Sequence, residues 1–314
     1  MGQAIMDEYE KLVRQAPEQW YMFRRFGGGV NVGILFSIIS LLVRRLSWPG
    51  VDYVGALLGQ LAFRLQDQKR SVVLSNLAHA QITGDHQTIA KKIFENYGRY
   101  YLELFKMNPG QKPYFFAHLT IDGKSHFEKA LVAGKGVVIV SPHLGNWDLA
   151  GCGLTQFNAP VAAVAEELAP ASLFRWFTRV RKNLGVQVVG LNLQAGKLCL
   201  RHLKNKGILA LVGDRDIQGN GIPLPFMGQI ASIPKGPMQL AMRSGATIMV
   251  GFCIRTGPGQ FKGKFYPPLK LKKTNDFDDD LFFNTKELAA ALETVIRENI
   301  DQWCMLQEIR HGKS

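Results

Sequence analysis

The sequence predicts an α/β protein: a mainly parallel central sheet flanked by helices on both faces, with a helical N-terminal portion. Three observations carry this. From residue 124 onward, short apolar runs rich in valine and isoleucine alternate with segments of helical periodicity, and such alternation builds parallel sheets covered on both sides. Between residue 51 and about 107 the spacing is helical alone. Apolar residues make up 46% of the 314 positions, enough for a large core and too many for wholesale disorder.

The first expected unit is residues 1–50, a helical, membrane-associating segment. Within it residues 27–43, G-G-G-V-N-V-G-I-L-F-S-I-I-S-L-L-V, hold no charge and are bracketed by Arg24-Arg25 and Arg44-Arg45. A spanning helix wants about 20 apolar residues. This run is shorter, opens on three glycines, and its arginine pairs at both ends give no orientation. Two readings stay open: a membrane-associated helix, or one that is buried or lines a substrate site.

Residues 51–314 form the second unit, with no linker inside it. V-D-Y-V-G-A-L-L-G-Q-L-A-F-R-L and I-A-K-K-I-F-E-N-Y-G-R-Y-Y-L-E-L-F read as amphipathic helices, and N-P-G at 108–110 ends that stretch. Strands are expected at 137–140, 161–164, 186–189, 208–212 and 247–254. Helices are expected at 125–133, 172–184, 193–204 and 237–244, with a last amphipathic helix from 285 to about 305. Residues 9–23 align without gaps to 292–306: Glu10, Arg14, Gln19, Trp20 and Met22 match Glu293, Arg297, Gln302, Trp303 and Met305. Either the termini carry a duplication, or two amphipathic helices resemble one another.

The formal charge is +13 and the pI about 9.6. A basic surface of this size implies an anionic partner: nucleic acid, anionic lipid headgroups or a phosphorylated substrate. The lysines and arginines are spread along the chain without a nucleic-acid motif. Cys152, Cys199, Cys253 and Cys304 are scattered, with no C-x-x-C pair, so a reduced cytosolic setting is the plain reading. No histidine shows metal-ligand spacing, and no metal is expected.

Chemistry concentrates in S-P-H-L-G-N-W-D-L-A-G, residues 141–151. His143 follows an expected strand, so it falls at the carboxyl end of the sheet, where ligands bind in such folds. Asp148 is five positions on. Five steps of about 100° place the two far apart around one continuous helix, so they meet only across a turn. Pro142 and Gly145 permit that turn, and Asn146 can cap a helix that carries Asp148. There the carboxylate would fix the imidazole tautomer and leave a free ring nitrogen as general base. The alternative is a polar turn with a satisfied histidine. Ser141 sits in no G-x-S-x-G elbow, and Cys152 has no basic neighbour in sequence, so both read as structural.

H-L-G-N-W-D resembles the H-x4-D/E motif of glycerolipid and lysophospholipid acyltransferases. The wider segment is similar to the lipid A biosynthesis (late) acyltransferase branch, which includes mycobacterial phosphatidylinositol mannoside acyltransferases. R-S-V-V-L-S-N-L (70–77) and F-E-N-Y-G-R-Y-Y-L-E (94–103) fit the upstream helices of that branch. G-D-R-D-I-Q-G-N-G-I-P-L-P-F-M-G (213–228), followed by I-P-K-G-P, resembles its downstream D-R-D and F-F-G-x5-P-x-G-P blocks. The resemblance covers about residues 50 to 305. One departure is that the branch tends to end in a P-x-Q-W-x-W-x-x-R-R-F-like segment. Here the better copy, P-E-Q-W-Y-M-F-R-R-F, is N-terminal, and the C-terminal I-D-Q-W-C-M-L-Q-E-I lacks the arginine pair.

The resemblance implies a glycerolipid-acyltransferase-like fold and an O-acyltransferase. It would move a fatty acyl group from acyl-CoA or an acyl carrier protein to a hydroxyl of a lipid or glycolipid. No cofactor is implied beyond that thioester, and the expected place is the cytoplasmic face of the inner membrane. His143 would act as base with Asp148 orienting it. Gly145 and Asn146 would bring backbone close to the oxyanion. Arg181 is the candidate for a phosphate or oxyanion contact, and Glu166 for a polar contact to the acceptor. Asp214, Arg215 and Asp216, after the strand at 208–212, would lie near the site, with a second acid assisting. Two other readings remain: a metal-dependent phosphohydrolase using His143, Asp148, Asp214 and Asp216, and a non-catalytic lipid-binding protein.

Overall fold

The structure is a computed structural model and describes residues 32–309. Four helices come first: α1 (Val32–Val43), α2 (Trp48–Leu65), α3 (Asp67–His79) and α4 (His86–Lys106). Local chemistry sets their starts. The Ser47 hydroxyl accepts from Gly50 N–H at the head of α2, which has proline in its first turn. Asp85 accepts from the amides of Gln87 and Thr88 at the head of α4. A short 3-10 turn (Pro109–Gln111) and α5 (Lys112–Ala117) lead into the sheet.

The α/β part then runs β1 (Leu119–Asp122), α6 (Lys124–Val132), β2 (Val137–Ser141), α7 (Trp147–Leu154), β3 (Val161–Ala165), α8 (Ala171–Asn183), β4 (Val186–Gly190), α9 (Ala195–Lys204) and β5 (Ile208–Val212). A hairpin, β6 (Ile222–Phe226) and β7 (Gln229–Ile233), follows. Next come α10 (Gly236–Ser244), β8 (Thr247–Gly257), β9 (Gln260–Phe265), α11 (Phe277–Glu298) and a 3-10 turn (Ile300–Gln302).

The seven-stranded sheet has the order β1-β9-β8-β2-β5-β3-β4, and every neighbouring pair is parallel except β8 with β9. The expected class is therefore observed, and all five expected strands form within a few residues of their expected ends. β1, β6, β7 and β9 were not expected. β1 is a four-residue edge strand, and β9 carries two lysines and a glycine. β6 reads I-P-L-P-F, and proline argues against a strand interior. Its two prolines are exposed, while Leu224 between them and Phe226 after them are buried.

The sheet has two covered faces. Val138, Val140, Leu209, Ile248 and Val250 pack with residues of α9, α10 and α11 in the largest core cluster. Val137, Ile139, Ile208 and Met249 face the other way, toward Phe127 of α6 and Leu154 of α7. The last helix begins eight residues earlier than expected, at Phe277 rather than 285. Asp276 caps it by accepting from the amides of Asp278 and Asp279, a start that polar residues hide from an apolar-periodicity reading.

Residues 27–43 were read as a membrane-associated, buried or substrate-lining helix. The described part, α1, packs on α4 and α8: Phe36 meets Phe105, Trp176 and Phe177 edge-to-face. No α1 residue lines the central cavity. Among the described residues no helix is long and apolar enough to cross a membrane. The N-terminal copy of the repeat lies outside the described residues.

α2 and α4 cross in close contact behind the site. A Cβ on Gly59 would run into the backbone of Phe94 and Glu95, one on Gly55 into Arg99, and one on Gly98 into Gly55. Three glycines thus let two helices touch backbone to backbone. We expect Gly59→Ala to force the helices apart and destabilise the fold by about 1–3 kcal/mol, read as a lowered midpoint in urea unfolding.

Candidate active site

β2 and β5 are adjacent and parallel, with Ser141 opposite Val212, so the residues just after them emerge side by side. His143 follows β2 and Asp214 follows β5. His143 N–H donates to Asp214 Oδ2 at 2.8 Å, and Nδ1 lies 2.7 Å from Oδ1. A third donor, Trp303 Nε1–H, reaches Oδ2 at 2.9 Å. The Asp214 side chain is fully buried, whereas that of His143 is 20% exposed. Burial alone pushes the Asp214 carboxyl up. The charge of His143 and the hydrogen bonds from His143 and Trp303 outweigh it and hold the group below its ordinary value. An ionised carboxylate on Nδ1 fixes the proton there and leaves Nε2 as the acceptor.

This corrects the expectation that Asp148 orients His143. Asp148 sits in the first turn of α7, and its side chain is 3% exposed. It turns toward α4 and α8: Arg181 donates through Nε at 2.5 Å and Nη2 at 3.3 Å, and Tyr100 donates its hydroxyl at 2.6 Å. The helix start aims Asp148 away from the loop, so it holds Arg181 instead. Burial and the nearby Asp148 charge push the Tyr100 hydroxyl far up, so it stays a donor.

Gly145 and Asn146 also need correcting. Asn146 does cap α7, its Oδ1 accepting from Leu149 N–H at 3.0 Å. Neither residue lines the cavity, and neither amide is free. Gly145 N–H donates to Gln302 C=O, and Asn146 N–H to Cys253 C=O, each at 2.9 Å. Gly145 has φ +60, and a Cβ there would strike Cys253 and Ile254, so glycine lets the loop lie against β8. Asp216 lines the cavity, but its carboxylate accepts from the amides of Gln218, Gly219 and Gly221 and from Ser232; it braces its own loop. Arg215 and Glu166 line the cavity as a loose pair, 3.5 Å apart. Burial draws the Arg215 guanidinium below its ordinary value, with Glu166 and Asp214 opposing.

Two supports were missed by the sequence reading. The C-terminal segment pins the loop after β2: Cys304 N–H donates to His143 C=O at 2.8 Å, and Trp303 bridges Leu144 in antiparallel fashion. Behind the loop, Glu103 of α4 pairs with Arg255 of β8 and accepts from Asn146 Nδ2, while Gln302 exchanges two hydrogen bonds with the Arg255 backbone. The C-terminal copy of the repeat thus packs directly behind the site. The repeated Q-W was the signal that could have marked it.

These groups open into one cavity of about 1150 Å³. Its lining mixes His143, Arg181, Glu166 and Arg215 with an apolar arm over the sheet. There Ala163 and Ala210 are only half-buried although they sit on inner strands. Burial pushes the Cys152 and Cys304 thiols each up to about 12, which favours the protonated thiol at neutral pH.

Asp214→Asn should keep the packing but lose the charge that sets His143, lowering turnover by about 10²–10⁴. Because the folded-state value of Asp214 is depressed, its stabilisation is complete above the unfolded value of about 3.9 and is lost as pH falls through the folded value. Melting midpoints below pH 4 should therefore fall less steeply in Asp214→Asn than in the parent.

Three comparisons relate the chain to known proteins. The chain is 34% identical over 221 residues to a phosphatidylinositol mannoside acyltransferase of Mycobacterium tuberculosis, covering 68% of this chain and 67% of that one. It is 32% identical over 217 residues to the protein of the same name from Mycolicibacterium smegmatis, covering 68% and 69%. A looser likeness, TM-score 0.37 and 16% identity, relates 77% of the chain to 97% of the crystal structure of 1-acyl-sn-glycerophosphate acyltransferase from Thermotoga maritima. The family model for bacterial lipid A biosynthesis acyltransferases matches residues 31–309, and with that match over nearly the whole chain, the protein belongs to this acyltransferase family.

Proposed function

We propose that this acyltransferase moves a fatty acyl group from a thioester to a hydroxyl of a glycolipid, with His143 as general base and Asp214 as its orienting carboxylate. The observation that carries this is His143, held by Asp214 behind it, in the wall of a cavity that is also lined by small apolar residues of the sheet. Nε2 takes the proton of the acceptor hydroxyl. The oxygen attacks the thioester carbonyl, and the tetrahedral oxyanion collapses with loss of the C–S bond. The departing thiolate takes the proton back from the imidazolium. No acyl-enzyme is needed, since no thiol or hydroxyl of the site is activated.

Arg181, fixed by Asp148, is the cation for the oxyanion or an acceptor phosphate. Glu166, held only loosely by Arg215, suits a hydrogen bond to a sugar hydroxyl of the acceptor. The names of the mycobacterial relatives support a phosphorylated mannoside lipid as the acceptor class, and the family name supports a lipid A precursor. The acyl chain would lie over Ile139, Ala163, Ala210 and Gly251, between the sheet and α7. Small side chains on inner strands leave the room that an alkyl chain fills.

The enzyme would work on the surface of an anionic membrane, on the cytoplasmic side. Ile34, Ile38, Leu41 and Leu42 of α1, and Tyr53, Leu57, Leu61 and Leu65 of α2, are all exposed at helical spacing. Arg44, Arg45 and Arg64 stand beside them and suit acidic headgroups.

His143→Ala should abolish transfer, by about 10²-fold or more, with unchanged unfolding. Mass spectrometry of lipids from cells carrying either form should show one acylated glycolipid missing in the variant. Unchanged lipids would sink the catalytic assignment. Ala210→Leu should shorten the longest chain transferred, read as a shifted product mass; loss of all chain lengths alike would argue against this arm as the acyl site.

A further inference from the structure

The cavity has a wall that the transfer reaction, as described, leaves unused. It is built by α3, α4 and the segment after Trp303. The short loop 80–85 joins α3 to α4, so the two helices run antiparallel. Val73 of α3 packs with Ile93 and Phe94 of α4 in one buried cluster. Lys69 lies one turn before Val73, and Tyr97 lies one turn after Ile93, so the two stand level on facing helices. Asn76, on the same face of α3, donates to the carbonyls of Met305 and Gln307 and turns that face toward the C-terminal segment. Lys69, Tyr97, Tyr101, Leu306 and Gln307 all line the cavity.

This wall has donors to spare and, among the described residues, no acid that lines the cavity. Asp67, in the same helical turn as Lys69, pairs with Arg70 instead. Among the described residues Lys69 has no hydrogen-bond or ion-pair partner, and burial draws its ammonium below the ordinary value. The hydroxyls of Tyr97 and Tyr101 lie 3.0 Å apart and share one hydrogen bond. Two hydroxyls bring two protons, so one O–H of the pair is left unspent among the described residues. Burial pushes both phenols up, so both stay protonated donors at neutral pH. The cations nearer the reacting groups are already balanced, Arg181 by Asp148 and Arg215 by Glu166.

We propose that Lys69, with the spare hydroxyl of the Tyr97–Tyr101 pair, binds the phosphate of the lipid acceptor and so selects a phosphorylated acceptor. The proposal deepens the acceptor reading above and rests on it. A phosphodiester carries one negative charge, which the one unbalanced lysine of this wall neutralises, and its oxygens accept from ammonium and phenol together. Desolvation disfavours a lone ammonium, and an anion beside it offsets that loss. Location favours the acceptor's phosphate over the donor's. Only Gln66 separates α3 from α2, and Leu61 and Leu65 at the end of α2 are exposed on the stripe assigned to lipid. A lipid that keeps its tails in the bilayer presents its phosphate next to them, at this wall. The other unpaired cations of the cavity sit on α9 and α10, which pack on each other and on the sheet. Arg181 is then left to the oxyanion.

The test is steady-state transfer by the full-length protein from a palmitoyl thioester, in its coenzyme A and carrier-protein forms. The acceptors are phosphatidylinositol mannoside and a lipid A precursor in mixed micelles, each beside its phosphate-free counterpart, and the pair that the parent acylates is used. Lys69→Gln should raise the KM for the phosphorylated acceptor about tenfold, with kcat and the KM for the thioester within about twofold of the parent. The parent should prefer the phosphorylated member of the pair, and Lys69→Gln should lose that preference. Lys69→Arg should recover it, and Tyr97→Phe/Tyr101→Phe should raise the same KM about threefold. Each variant should unfold at the parent's temperature; should Lys69→Gln unfold early, Lys69→Met and the tyrosine variant carry the same comparison. If the parent takes both members equally, or Lys69→Gln keeps the preference, the wall reads no phosphate and the proposal fails, although the acceptor reading stands. If Lys69→Gln raises the KM for the thioester instead, the phosphate is the donor's and the proposal fails. If the parent acylates neither lipid from either thioester, the acceptor reading itself fails.

Discussion

One buried carboxylate organises the site. Asp214 is fully enclosed, and a carboxylate taken out of water must find donors or give up its charge. Its three donors come from two further parts of the chain, the loop after β2 and the segment after α11. Each part is held by the other two. The loop cannot sit correctly unless the C-terminal segment lies along it, and that segment is fixed at Trp303 by the carboxylate itself. The sheet makes the meeting feasible, because parallel neighbours β2 and β5 deliver His143 and Asp214 to the same edge.

A second network backs the first. Glu103 and Arg255 are buried together, and through Asn146 and Gln302 they tie α4 and β8 to the loop after β2. Removing one partner of such a pair leaves an uncompensated charge, at a cost of about 3–5 kcal/mol. The helical N-terminal region is therefore part of the active site's foundation. The close α2–α4 packing bears on this, since α4 carries both Glu103 and Tyr100. Tyr100 in turn joins Arg181 on Asp148, stacking on Trp147 with ring centroids 4.1 Å apart.

The cavity is zoned by residue size and charge. Over the sheet, alanine and glycine on inner strands leave an apolar void. At the strand ends the acids Asp148, Glu166 and Asp216 are each engaged by a cation or by backbone amides. Between α9 and α10 the lining cations form no ion pair among the described residues, and Arg243 stands over the ring of Phe277. On the outside, α1 and α2 present leucine and isoleucine stripes next to arginines, a surface suited to a lipid interface more than to water.

Much of this was legible from residue order. Alternating apolar runs determined the class and all five expected strands. H-L-G-N-W-D with the downstream D-R-D marked the right two strand ends, and Asn146 capped its helix as its type predicts. Linear spacing did not reveal which carboxylate faces His143, because Asp148 is five residues away in sequence while Asp214 is one strand away in space. Glycine and asparagine in a tight turn promised free amides, but the turn had already given them to β8 and the C-terminus. The proline-bearing hairpin was hidden because strand propensity is a statement about neighbours, which a single chain segment does not show. The sequence by itself determined the strands, the helix caps and the residue types at the site. Tertiary structure decided the pairings, because a buried charge takes whichever donors the packed sheet brings within about 3 Å, not those nearest along the chain.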